Sequence, residues 1–288
     1  MTGTRMLTAL VLIPVVIAIV LFTPTSVVAI ATALITILAL REFFSLGDAI
    51  GHRAYRLWTY FCSGALVAFP LRPVQSGLYR LFRGMLENKG PIAVFELFAV
   101  VAFIFVLGIT VLTLFTQRPL VETLPAAGIS TSAFLLVAFP LSFAVLLHAL
   151  ASNGPRLLLF ALVVTWAADT VAYFVGRAIG KHPLAPHISP KKTWEGSAGG
   201  MLGSLAVAYA FSFWLKIPLH HLLIMAALGN IAGQMGDLLE SACKRSAGVK
   251  DSGGLLPGHG GVLDRIDALI LCIPVIWYYL VLVNPPVL

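Results

Sequence analysis

The chain has 288 residues, 59% of them hydrophobic and 11% charged, with a formal net charge of +7. Soluble domains carry about 25% charged residues; with a mean hydropathy of +0.96, a water-soluble enzyme is excluded, and no basic arm exists to hold nucleic acid. What remains is an all-α, polytopic integral membrane bundle, a single membrane domain over residues 1–288, with about nine transmembrane helices of roughly 20 residues each. The basic balance reads either as the Lys/Arg excess of cytoplasmic loops or as attraction for phosphates and acidic lipids. Cys62, Cys243 and Cys272 are scattered. They form neither a disulfide framework nor a zinc pattern and read as small packing residues.

The first apolar run, Leu7–Phe22, follows Arg5. The next run comes almost at once and no small-residue cleavage site intervenes, so the first is a membrane helix and not a signal peptide. The turn Thr23–Ser26 opens a second helix, expected to end near Leu40, before the charged Arg41 and Glu42. A third span covers Leu57–Leu71. The polar connection Arg72–Pro91 follows, and LYRLFRGML within it reads as a short interfacial amphipathic helix. The fourth span is Ile92–Phe115, with Glu96 near its start as a snorkelling or paired acid. The fifth is Ser130–Leu150 and the sixth Leu157–Val175.

From the sixth span onward the polar residues become informative. Asp169, Tyr173 and Arg177 recur at helical spacing and share a stripe. An acid this deep faces protein or water; it supports a substrate site or forms a structural ion pair with Arg177. The loop Gly176–Gly200 is rich in glycine and proline and is expected to lack regular structure through most of its length. Its Ser189, Lys191, Lys192 and Thr193 offer hydroxyl and ammonium groups suited to phosphate oxygens. The small residues Gly196–Gly203 open a seventh span and allow close helix packing.

The eighth span starts near Leu219 and runs into Gly236–Asp267, where five of the twelve carboxylates of the chain lie. Such a concentration of charge beside a bilayer reads as a functional site. Asp237, Glu240, Ser241 and Lys244 share one helix face, and the oxygens there suit a hard cation such as Mg²⁺. Lys244 and Arg245 complement the helix dipole at the C-terminal end. Gly258–Gly261 lets backbone approach a ligand. The ninth span starts near Asp264, one turn before Asp267; either carboxylate alone would serve as an N-terminal cap. With nine spans, the loops after spans six and eight fall on the N-terminal side and can meet. Thirteen of the nineteen lysines and arginines lie on that side, which places it in the cytoplasm, although without those of the candidate site the count is nearly balanced.

Over Ser241–Asp267 the chain resembles the phosphatidate cytidylyltransferases, or CDP-diacylglycerol synthases. Their pattern, S-x-apolar-K-R-x4-K-D followed by H-G-G-x-x-D-R-x-D, is met here by Ser241, Lys244, Arg245, Lys250, Asp251, His259, Gly260, Gly261, Asp264, Arg265 and Asp267. Cys243 departs from it, standing where a larger apolar residue is usual. Gly236-Asp237, Glu240, the Asp169–Tyr173 helix and SPKKTWEG also resemble the family, so the likeness covers the C-terminal half.

The resemblance implies transfer of CMP from CTP to phosphatidic acid, giving CDP-diacylglycerol and pyrophosphate. It assigns residues 151–288 as the catalytic half, with residues 1–150 left for lipid access and dimer packing. It implies Mg²⁺ at Asp237 and Asp264, with Glu240 and Asp267 as further ligands and a second cation such as K⁺. Lys244, Arg245 and His259 join Asp237 and Asp264 as catalytic residues. Ser189, Lys191, Lys192, Ser241, Lys250 and Arg265 bind phosphate, while Asp169, Asp251 and Arg177 give support. The location implied is a bacterial inner (cytoplasmic) membrane with the active site on the cytoplasmic side, in a possible homodimer. A CTP-dependent lipid kinase, releasing CDP, is the nearest alternative. A transporter fits less well, because the charges gather at one membrane face and no internal repeat is visible. The DGxxAR…GxxxDxxxD pattern of CDP-alcohol phosphotransferases is absent.

Overall fold

The computed structural model describes residues 2–68, 91–150, 153–255 and 260–283, with side chains from residue 10 in the first helix and residue 98 in the fourth. The helices in chain order are α1 (Thr2–Phe22), α2 (Thr25–Ala49), α3 (Arg56–Ala68), α4 (Pro91–Phe115), α5 (Leu120–His148), α6 (Gly154–Ile179), α7 (Trp194–Ser212), α8 (Leu219–Ser246) and α9 (Leu263–Val283). Strands β1 (Pro183–Ala185) and β2 (Ser189–Thr193) form an antiparallel hairpin between α6 and α7. The protein is an all-α membrane protein apart from this hairpin. Among the described residues, six helices are long and apolar enough to cross a bilayer: α2, α4, α5, α6, α8 and α9. The other expected spans, α1, α3 and α7, are helices too; among the described residues α3 covers Arg56–Ala68 and the apolar stretch of α1 covers Leu10–Phe22.

Three expectations need correction. Helix α2 does not stop near Leu40 but continues to Ala49, carrying Arg41 and Glu42 within it; Glu42 is buried and bonded, so its charge does not end the helix. Helix α5 begins at Leu120, ten residues before Ser130. Its Phe134–Ala138 segment is a π-helical turn just before Pro140, whose missing N–H breaks the regular ladder. The Gly176–Gly200 loop is more ordered than its glycines and prolines indicate, since α6 runs to Ile179, the hairpin follows, and α7 starts at Trp194. The amphipathic LYRLFRGML segment, the end of the third span and the Glu96 side chain lie outside the described residues.

The interior is aromatic and aliphatic. Phe44, Phe105, Phe134, Phe143 and Phe160 are fully buried, and Phe105 stacks on Phe134 with ring centroids 4.3 Å apart. Helices α6 and α7 pack through the expected small residues: a Cβ on Gly196 would lie 2.9 Å from the Ala172 carbonyl oxygen, and one on Gly200 3.0 Å from that of Ala168. Backbones this close leave no space for a side chain. Ser197, Gln234, Asn230 and Ser204 then link α7 to α8 by hydrogen bonds between side chains. These contacts fix α6, α7 and α8 as a unit, and α9 closes against α8.

Candidate active site

The two polar clusters meet. Thr193 ends β2 and caps α7, its Oγ1 accepting from Gly196 N at 3.1 Å. Arg245, in the last turn of α8, donates from Nε to the Ile188 carbonyl in the hairpin turn (3.4 Å) and from Nη1 to the Val249 carbonyl (3.0 Å). Lys192 of β2 forms an ion pair with Asp237 of α8. Side chains alternate along a strand, so Lys191 takes the opposite face from Lys192 and is exposed. Ser189 lies at the start of β2, opposite Ala185.

One carboxylate cluster is closed. Lys244 Nζ lies between two helices, donating to Asp264 Oδ1 of α9 at 2.5 Å and pairing with Glu240 one turn back on α8. The side chains of Lys244, Glu240 and Asp264 are only 10%, 5% and 7% exposed. Asp264 Oδ2 accepts from Gly261 N (2.8 Å), Ser252 N (3.0 Å) and Ser252 Oγ (3.1 Å). Gly260 adopts φ +75°, and a Cβ there would lie 2.7 Å from Asp264 Oδ2. The glycines near this turn therefore admit the protein's own carboxylates. Glu240 Oε1 is buried with no hydrogen-bond partner among the described residues.

The second cluster is open. Asp237 is 26% exposed; besides Lys192 it receives a long contact from Ser241 Oγ at 3.4 Å. Asp169 of α6 and Asp267 of α9 lie within electrostatic reach of Asp237 and of each other, and Lys192 and Arg265 are within reach of Asp169. Three helices thus bring three carboxylates together beside two cations. Gly236 permits the approach of α8 to α9, since a Cβ there would be 2.5 Å from the Asp267 carbonyl oxygen. Asp267 Oδ1 accepts from Ala268 N at 2.8 Å. Arg177 donates to the Tyr173 hydroxyl at 3.0 Å, and no ion pair joins it to Asp169 among the described residues. Lys250 and Asp251 are exposed in the loop after α8. His259 lies outside the described residues.

The donor set suits a hard cation by its chemistry. Carboxylate oxygens are what Mg²⁺ takes, and Asp169, Asp237 and Asp267 lie within electrostatic reach of one another. Among the described residues no three His, Cys, Asp or Glu side chains are arranged to hold a metal; lysine ammonium groups occupy the positions beside Asp237 and Asp264 instead.

Sequence reasoning missed Glu42. Its carboxylate, from α2, accepts from Val262 N, Leu263 N and Ser252 Oγ. The only signal was a carboxylate placed late in an apolar helix.

The model of the cytidylyltransferase family matches residues 3–283. A phosphatidate cytidylyltransferase of Bacillus subtilis is 41% identical over 177 residues, covering 60% of this chain and 66% of the relative. One of Staphylococcus haemolyticus is 47% identical over 131 residues, covering 45% of this chain and 50% of the relative. One of Haemophilus influenzae is 44% identical over 133 residues, covering 44% and 46%. The matches therefore span between about half and just under two thirds of these curated relatives.

Proposed function

The chain belongs to the cytidylyltransferase family, and on that premise we propose that it transfers CMP from CTP to phosphatidic acid, releasing pyrophosphate. The observation that carries the reading is the meeting of the hairpin's Lys192 with Asp237 of α8, within electrostatic reach of the carboxylates of α6 and α9. An accessible site that pairs acids with basic side chains suits the joining of two anionic substrates.

In the proposed step an oxygen of the lipid phosphate attacks the α-phosphorus of CTP in line. The new P–O bond forms as the bond to the β-phosphate breaks, and pyrophosphate leaves with the electron pair. A phosphate monoester is already ionised near neutral pH, so positioning and charge neutralisation dominate over general base catalysis. Lys192 is placed to exchange its pairing with Asp237 for a phosphate oxygen. Arg245, Lys250 and Arg265 would contribute further positive charge for the phosphates, with Lys191 from the other face of the hairpin and Ser189 and Ser241 as hydroxyl donors. Lys244 acts from within, holding α8 and α9 in register. Asp237 and Asp264 would hold Mg²⁺, with Glu240, Asp267 and Asp169 beside them and room in the donor chemistry for a second cation such as K⁺. When bound, the metal neutralises charge on the triphosphate. Asp251 and Arg177 would support the site, and His259 would either assist the leaving group or anchor the glycine turn.

The same reading places nine helices across a bacterial inner membrane, with the hairpin and the α8–α9 loop in the cytoplasm. It leaves α1–α5 for lipid access and for packing in a homodimer.

The test uses purified protein in detergent with phosphatidic acid and CTP labelled at the α-phosphate, with and without Mg²⁺. Label entering lipid only with Mg²⁺, with pyrophosphate released, is the expected result. Label retained in soluble CDP, with phosphorylated lipid, would assign the protein as a kinase. Intact CTP with every phospholipid acceptor would overturn nucleotide chemistry altogether.

A further inference from the structure

Helix α9 starts at Leu263, and the N–H groups at a helix start lack partners within the helix. A capping side chain usually comes from the residue just before the helix. Here the cap comes from 220 residues away. Glu42 Oε1 accepts from Val262 N at 2.9 Å, and Oε2 from Leu263 N at 2.8 Å and Ser252 Oγ at 2.9 Å. The residue is 8% exposed. A carboxylate at a helix N-terminus is favoured by the dipole as well as by these bonds.

The surrounding glycines fit this one group. A Cβ on Gly253 would lie 2.7 Å from Glu42 Oε1, and one on Gly261 would collide with Glu42 Oε2 and Ser252 Oγ. Ser252 is shared: its hydroxyl lies 2.9 Å from Glu42 and 3.1 Å from Asp264 Oδ2, and its N–H donates to the same Asp264 oxygen at 3.0 Å. Glu42 therefore holds both the start of α9 and Ser252 within the α8–α9 loop, and Ser252 connects it to the carboxylate that Lys244 holds from the other side.

We propose that Glu42 is a positioning residue of the active site: it fixes the start of α9 and, through Ser252, the orientation of the Asp264 carboxylate. The kinetic part rests on the cytidylyltransferase reading; the structural part does not.

The experiment uses the full chain in detergent. Glu42→Gln keeps the shape but sets an amide NH₂ against donors. Hydrogen exchange at the Val262 and Leu263 amides should quicken about tenfold or more, because bonds to a charged acceptor are lost, while the amides of α6–α8 keep wild-type rates. Turnover should fall about 10- to 100-fold, as for groups that orient a ligand, with KM for CTP changed less than about threefold. Gly253→Ala should cost turnover in the wild-type background and almost nothing more in Glu42→Ala, because the colliding carboxylate is gone. Unchanged exchange at Val262 and Leu263 would overturn the proposal. So would exchange quickened throughout the protein with turnover lost only in proportion to the unfolded fraction, since that marks a general structural role. If the wild-type protein transfers no cytidylyl group, the exchange measurement and its α6–α8 control still decide the matter for Glu42.

Discussion

Asp237 and Asp264 stand on neighbouring helices and carry the same charge, yet their surroundings are opposites. Asp264 is 7% exposed and takes an ammonium on Oδ1 and two backbone N–H groups and a hydroxyl on Oδ2. Asp237 is 26% exposed and holds one lysine from a hairpin and one distant serine. A buried carboxylate with four donors helps to hold structure in place. One with an exchangeable partner can accept a new ligand without breaking the fold. The contrast ties Asp264 to the packing of α8 against α9 and leaves Asp237 with a partner that can exchange.

The sharpest way to break this comparison is at the closed cluster. Lys244→Met removes the ammonium between two buried carboxylates, and losing one member of such a group costs about 3–5 kcal/mol. The expected result is a large drop in thermal midpoint and little folded protein; a stable variant would show that the bridge does not hold α8 to α9. At the open cluster Lys192→Ala should leave stability within about 1 kcal/mol, because the pair is partly exposed. It should still lower kcat/KM for CTP about 10- to 100-fold if the ammonium moves onto phosphate, which corresponds to roughly 1.4–2.7 kcal/mol of transition-state binding. An unchanged kcat/KM would leave Lys192 as a surface partner of Asp237 only. The smallest effect is expected at Ser241→Ala. Its 3.4 Å contact to Asp237 is at the long limit for a hydrogen bond, so loss of this one neutral hydroxyl donor should lower kcat/KM for CTP only about three- to tenfold, roughly 0.7–1.4 kcal/mol.

Much of this contrast was legible in the sequence, but not its division into two clusters. Helical spacing correctly put Asp237, Ser241, Glu240 and Lys244 on one face, and the small residues Gly196–Gly203 do lie where α7 meets α6. The expected meeting of the polar loops after the sixth and eighth helices is present in the bond from Arg245 to the Ile188 carbonyl. Spacing along one helix cannot say which partner each side chain takes from another. Glu240 and Lys244 turn to Asp264, whereas Asp237 turns to Lys192. Adjacent Lys191 and Lys192 read as a pair until β2 separates them by its alternation. Glu42 was least legible of all. Charge at the end of an apolar run ordinarily marks the membrane boundary, and only the tertiary fold brings it to Val262 and Leu263.

The most direct test of the account compares Asp237→Ala with Asp264→Ala in one preparation, reading thermal midpoint and turnover together. Asp237→Ala should keep its midpoint within about 4 °C of wild type, matching a change near 1 kcal/mol, and lose turnover by about 1,000-fold or more. Asp264→Ala should lose both. An Asp237→Ala protein with near-normal turnover, or an Asp264→Ala protein with a wild-type midpoint, would contradict the division between an exchanging carboxylate and a structural one.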